Sequence, residues 1–76
     1  MIKEHDCVVL MQDVPDEDLK AGDIGTVVHV HRSGVGYEVE FMTLAGETLA
    51  VTTLLASQVR AINRHDVARV RELASA

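Results

Sequence analysis

The sequence predicts a mainly β fold, a small five-stranded barrel followed by a short C-terminal α-helix, and three observations carry that expectation. Gly22-Asp23-Ile24-Gly25-Thr26-Val27-Val28 puts two glycines at the start of a β-branched run, where the chain must bend or bulge. A turn of composition Ser33-Gly34-Val35-Gly36 follows. Tyr37-Glu38-Val39-Glu40-Phe41 then alternates apolar and acidic side chains, the period of a half-buried strand.

The elements can be placed in order. Cys7 to Met11 is a short, continuously apolar run and reads as a first strand covered on both sides. A long acidic loop follows, and Pro15 with Asp16, Glu17 and Asp18 behind it suits a single helical turn over Pro15–Leu19. The second and third strands are joined by Ser33–Gly36. Setting Arg32 against Tyr37 places Val30 against Val39 and Val28 against Phe41 on one side, and His31 against Glu38 and His29 against Glu40 on the other. Ala45-Gly46 signals the next hairpin. A five-residue connection, Thr43–Glu47, matches Phe41 with Leu49 and Val39 with Val51, leaving Ala50 and Thr52 outside. Ser57–Ile62 reads as the last strand. Asn63 is then a good helix N-cap, Asp66 falls in the first turn, and Val67, Val70 and Leu73 or Ala74 follow at helical spacing. Residues 1–62 are thus expected to form an SH3-like barrel. Residues 63–76 would form an amphipathic tail that packs on it or on a neighbouring subunit, because about 11 residues are too few for an independent helix.

Size and charge bound the function. A domain of 76 residues sits near the lower limit for a single core, and one cysteine provides neither a disulfide nor a zinc site. The hydrophobic fraction, 47 %, is almost all aliphatic, more than a small barrel can cover, so self-association is the expected remedy. The net charge of −5 is unevenly spread. Residues 1–55 carry ten acids against three bases, and residues 56–76 carry four arginines against two acids. An acidic barrel repels phosphate, which disfavours generic nucleic-acid binding. The polar start has no signal-peptide pattern, no apolar run reaches the ~20 residues of a membrane span, and a lone thiol suits a reducing compartment. The cytoplasm is the expected location.

Few residues invite chemistry. His29 and His31 share a face with Glu38 and Glu40, which is the composition of a His₂–carboxylate metal site or a proton-sensitive patch. Solvated cross-strand polar pairs account for the same pattern with fewer demands, so no metal or other cofactor is expected. Cys7 opens an apolar strand beside Asp6, unlike the electropositive site of a nucleophilic thiolate, and reads as a buried structural cysteine. Asp13, Asp16, Glu17 and Asp18 lack the spacing of a calcium loop and read as a solvated acidic surface open to a basic partner. No catalytic grammar is present, and the chain is expected not to be an enzyme.

On Asp6–Leu10, Asp13–Leu19, Gly22–Val28, Tyr37–Phe41, Gly46–Thr48 and Val51–Leu54 the chain resembles a family of very small bacterial proteins of unknown function. More broadly, its Gly-Asp-x-Gly-Thr-Val-Val stretch resembles SH3-like barrels of the KOW type. The resemblance implies the barrel fold and no catalytic residues. KOW-type RNA binders use basic and aromatic surfaces, whereas these strands carry Asp23, Glu38 and Glu40, and the two aromatics, Tyr37 and Phe41, are expected inside.

The leading expectation is therefore a non-enzymatic protein-binding or accessory module, self-associating, in the manner of an acidic antidote that masks a basic partner. Its interaction surface would draw on His29, His31, Glu38 and Glu40, on Asp16, Glu17 and Asp18, and on Val67, Val70 and Leu73. Two alternatives come from other classes. One is a nucleic-acid-binding module gripping phosphates with Arg60, Arg64, Arg69 and Arg71, and the other is a metal- or pH-responsive barrel built on His29 and His31.

Overall fold

In the computed structural model, residues 1–73 are described, and their regular structure is one five-stranded antiparallel sheet. The strands are β1 (Cys7–Leu10), β2 (Ile24–His31), β3 (Gly36–Met42), β4 (Thr48–Leu55) and β5 (Val59–Ala61). Their order across the sheet is β4-β3-β2-β1-β5. Single 3₁₀ turns stand at Pro15–Glu17, Arg32–Gly34 and Ala56–Gln58. The first lies within the loop where a helical turn was expected, and the last shortens the expected final strand at its start.

The core is one cluster drawn from every strand: Val8 and Leu10 of β1, Val27 of β2, Tyr37, Val39 and Phe41 of β3, Ala50 and Leu54 of β4, and Val59 of β5. Leu19, 1 % exposed, joins it from the acidic loop. That loop closes on itself through reciprocal backbone hydrogen bonds between Val14 and Leu19, which turn Leu19 inward. Both aromatics are buried, as the alternation of β3 requires.

Glycines work at the start of β2 as the sequence suggested, in two different ways. Gly22 adopts a left-handed φ of +97°, which only glycine reaches without strain. Gly25 is needed for closeness. A Cβ there would stand 2.5 Å from Val39 Cγ1 and 2.9 Å from Phe41 Cε1, so the β2 backbone lies directly on the β3 side chains.

Both predicted registers are corrected. A bulge at Val28 splits the β2–β3 ladder: Val27 opposes Val39 and Gly25 opposes Phe41 on one side of it, while His29 opposes Glu38 and Val30 opposes Tyr37 on the other. Val28 is therefore not a core partner of Phe41 and is 42 % exposed. The connecting loop is the cause. Arg32 and Ser33 take positive φ within the 3₁₀ turn, so the reversal starts earlier than Ser33 and shifts the pairing. Between β3 and β4 the five-residue connection Thr43–Glu47 is as expected, but a second irregularity beyond Phe41 moves the ladder by one place. Phe41 opposes Ala50, Val39 opposes Thr52 and Tyr37 opposes Leu54. One place inverts a strand's faces. Ala50 is buried rather than outside, and Val51 is 53 % exposed.

Two further expectations fail. Cys7 is exposed, not buried, because the inward positions of β1 fall on Val8 and Leu10. The C-terminal helix is absent among the described residues, and 67–73 have no regular structure; Ala74, offered as a last apolar position, lies outside the described residues. Val67 and Val70 are 86 % and 82 % exposed, so no apolar stripe is buried to stabilise so short a helix. The Asn63 cap does form locally. Its Oδ1 accepts the His65 N–H at 2.9 Å and its own N–H donates to Asp66 Oδ2 at 2.8 Å. The turn then stops, since the Asp66 carboxylate is also gripped by Arg60 and the chain beyond is drawn toward Asp23.

Candidate functional site

Strand pleat places the side chains of Glu38 and Glu40 on the outer face of β3, flanked by β2 on one side and β4 on the other. Glu38 is the hub. Its Oε2 accepts the Thr53 hydroxyl at 2.6 Å and lies 2.8 Å from His31 Nε2. The Thr53 hydrogen bond, with that of His31 behind it, holds the Glu38 carboxyl below its ordinary range. The Thr48 hydroxyl donates to Glu40 Oε2 at 2.7 Å. Thr48 and Thr53 thus draw two acidic side chains back over the sheet toward the edge strand.

The histidines are arranged differently from the expected pairs. His31 reaches Glu38, as predicted, but diagonally, since its strand partner is Gly36. His29 opposes Glu38 rather than Glu40, and its Nδ1 lies 3.7 Å from Glu4 Oε2. The two imidazoles meet edge to face at 4.7 Å. Among the described residues no three His, Cys, Asp or Glu side chains converge as a metal-binding group. Around this polar centre stand exposed apolar side chains: Val51 and Leu55 of β4, Met42 of β3, and Val28 at the bulge.

The acidic loop and the tail come together elsewhere. Asp16, Glu17 and Asp18 are exposed, with Asp18 in a left-handed conformation at the end of its turn. Arg71 crosses to this region. Its Nε donates to Asp23 Oδ1 at 2.8 Å, and its Nη2 donates to Asp23 Oδ2 at 2.6 Å and to the Asp18 carbonyl at 3.0 Å. Burial works to raise the Asp23 carboxyl, but Arg71 together with the Lys20 N–H outweighs it and holds the group below its ordinary range. Nearer the sheet, Arg60 clamps Asp66 through two parallel hydrogen bonds of 2.9 and 2.8 Å. That clamp and the Asn63 N–H depress Asp66 to about 2. The tail so anchored arches over the start of β2 and leaves an open cleft of about 570 Å³ bordered by Ile24, Ile62, Val67 and Val70.

The predicted interaction residues therefore fall into two separate groups. His29, His31, Glu38 and Glu40 share the outer sheet face. Asp18 is joined to the tail that carries Val67, Val70 and the half-buried Leu73. Asp23, Asp66 and Leu19 were missed as structural anchors, and the exposure of β4 was missed with them. Asp66 carried a local signal in its spacing from Asn63. The Asp23–Arg71 contact, 48 positions apart, carried none.

Together these features define a small single-sheet antiparallel β domain with a polar outer face, ringed by apolar side chains, and an ion-paired tail. No helix among the described residues is long and apolar enough to cross a membrane. The chain belongs to the family of the domain of unknown function DUF4926, whose model matches residues 4–61. That agrees with the expected kinship to small domains without an assigned role, and the tail from Ile62 onward lies outside the match. No curated protein and no solved structure matches the chain.

Proposed function

We propose that this protein is a non-enzymatic SH3-like barrel that acts as a protein-binding accessory module and associates with itself. The barrel reading is supported by the strand order β4-β3-β2-β1-β5 and by a long β2 that pairs with β1 at its start and with β3 along its length. A 3₁₀ turn between the last two strands and a core shared by all five point the same way.

The observation that carries the binding role is the outer face of β2, β3 and β4. Val51 and Leu55, 53 % and 59 % exposed, stand beside the hydrogen-bonded set His31, Glu38 and Thr53. Exposed aliphatic groups next to pre-positioned polar groups have the composition of a protein interface: apolar contact supplies affinity, and fixed charges supply orientation. With Glu38 and Glu40 on that face and a net charge of −5, a basic protein surface is the complementary partner. The arginine tail fits nucleic acid poorly, since Arg60 and Arg71 are already committed to Asp66 and Asp23.

Affinity capture from the source cells tests the reading, using the native chain and a Glu38→Lys/Glu40→Lys variant as baits. A basic protein retained by the first and lost by the second is the expected result. Equal retention by both baits would count against this face as the binding surface.

A further inference from the structure

The free edge of β4 is the surface that most needs a partner, and its chemistry specifies one. Among the described residues, β4 pairs on one side only, with β3. It is eight residues long, Thr48–Leu55, and contains no charged residue, no proline and no glycine. Proteins ordinarily protect such an edge with a lysine, a proline, a bulge or a covering segment. Over Ala50–Leu55 the ladder to β3 is regular.

The hydrogen-bond phase identifies the unpaired groups. The Ala56 N–H donates to the Val35 carbonyl at 3.1 Å, which continues the β3–β4 register by one pair. In an antiparallel ladder every second pair exchanges both bonds. Tyr37/Leu54, Val39/Thr52 and Phe41/Ala50 are therefore the bonded pairs. The N–H and C=O groups of Val51 and Thr53 and the C=O of Leu55 point out of the sheet, while the Leu55 N–H donates to Gln58 Oε1 at 2.7 Å.

We infer that this edge takes the β4 strand of a second copy, antiparallel about a two-fold axis at Thr53, to make one continuous ten-stranded sheet; the inference rests on the self-association proposed above and names its surface and register. In that register Thr53 meets Thr53 of the other copy and Val51 meets its Leu55, twice, with the Leu55 N–H exchanging Gln58 Oε1 for the carbonyl of the other copy's Val51. The exposed Val51 and Leu55 side chains then cover one another on the outer face, and a threonine pair occupies the centre. Charge selects the same arrangement. The chain carries −5 overall, so most pairings of two copies bring like charges together, but none of its charged residues lies between Glu47 and Arg60. The nearest facing acids, the two copies of Glu38, sit on strands three spacings of about 4.8 Å apart, and each carboxylate is held by the hydroxyl of its own Thr53 at 2.6 Å.

Two measurements on the full chain test this. In a Cys7→Ser background, Thr53→Cys should form an intermolecular disulfide on mild oxidation, at least tenfold more readily than Val51→Cys or Thr52→Cys, because only position 53 meets itself in this register. Light scattering should give twice the 8.3 kDa of one chain for the native protein, with Val51→Lys raising the dissociation concentration at least tenfold at unchanged circular dichroism. A native dimer that survives Val51→Lys and gives no preferred cross-link at position 53 would overturn the edge inference and leave self-association to another surface. A native protein that stays monomeric at millimolar concentration would overturn both.

Discussion

Arg71 and Asp23 stand 48 positions apart in the chain and meet through two parallel hydrogen bonds of 2.8 and 2.6 Å. This contact, with the Arg60–Asp66 clamp before it, holds a tail whose described residues 67–73 have no regular structure and whose valines face solvent. Anchoring by ion pairs at two points replaces the helix packing that the valine spacing suggested.

Arg71→Ala should therefore free the tail without unfolding the sheet. A partly exposed pair contributes about 1 kcal/mol or less to global stability, so the urea midpoint should barely move. Trypsin cleavage after Arg64 and Arg69 should accelerate several-fold. Unchanged cleavage would show that the tail is held by something other than Asp23.

The same anchors give the tail an acid limit. Asp66 titrates at about 2 and Asp23 is lowered, against roughly 3.9 for an unfolded aspartate. Folded values below the unfolded one mean that the stabilisation is complete above the unfolded pKa and is lost as pH falls through the folded values. Protease resistance of the tail should hold from about pH 5 upward and decline between about pH 4 and pH 2. An acid-stable protease is the suitable probe. Asp66→Asn should remove the lower part of that decline.

Glu38 offers a test of the outer face. Its carboxyl is lowered first by the Thr53 hydroxyl and then by His31. NMR titration of the side-chain carboxyl should show a midpoint below that of an ordinary glutamate in the native protein. Thr53→Val should move it back upward. If Thr53→Val leaves the midpoint in place, the 2.6 Å hydrogen bond is not what tunes the group.

Two substitutions probe the packing. Gly25→Ala would drive a Cβ to 2.5 Å from Val39 and 2.9 Å from Phe41, both in the core, and should destabilise by about 1–3 kcal/mol as overpacking does. Leu19→Ala would empty a fully buried site and should cost about 2–5 kcal/mol, although Leu19 lies in a loop. Urea denaturation measures both. A loss below about 0.5 kcal/mol for Leu19→Ala, the range of ordinary surface substitutions, would mean that the loop is not part of the folded core.

Much of this architecture was legible in the sequence. The alternation Tyr37-Glu38-Val39-Glu40-Phe41 determines which β3 side chains face inward, because period-2 patterning leaves one way to bury the apolar set. The glycines before β2, the turn at Pro15 and the five-residue connection Thr43–Glu47 were legible for the same local reasons: each answers to the conformation of a few neighbouring residues. Pairing between strands was not. Bulging at Val28 and the irregularity beyond Phe41 depend on where a loop places its ends, and a displacement of one residue put Ala50 inside and Val51 outside.

The sequence by itself determined a small, mainly β, acidic domain and placed the His29, His31, Glu38 and Glu40 set on a common face, since local periodicity and charge suffice for both. Only the tertiary structure decided that His29 stands opposite Glu38 and turns to Glu4 rather than Glu40, that Cys7 is exposed, that the tail is strapped to Asp23 instead of coiling, and that β4 lies open at the edge. Each of those depends on contacts between residues far apart in the chain, where no sequence period connects the partners and the balance of burial, ion pairing and strand register is settled by the fold as a whole.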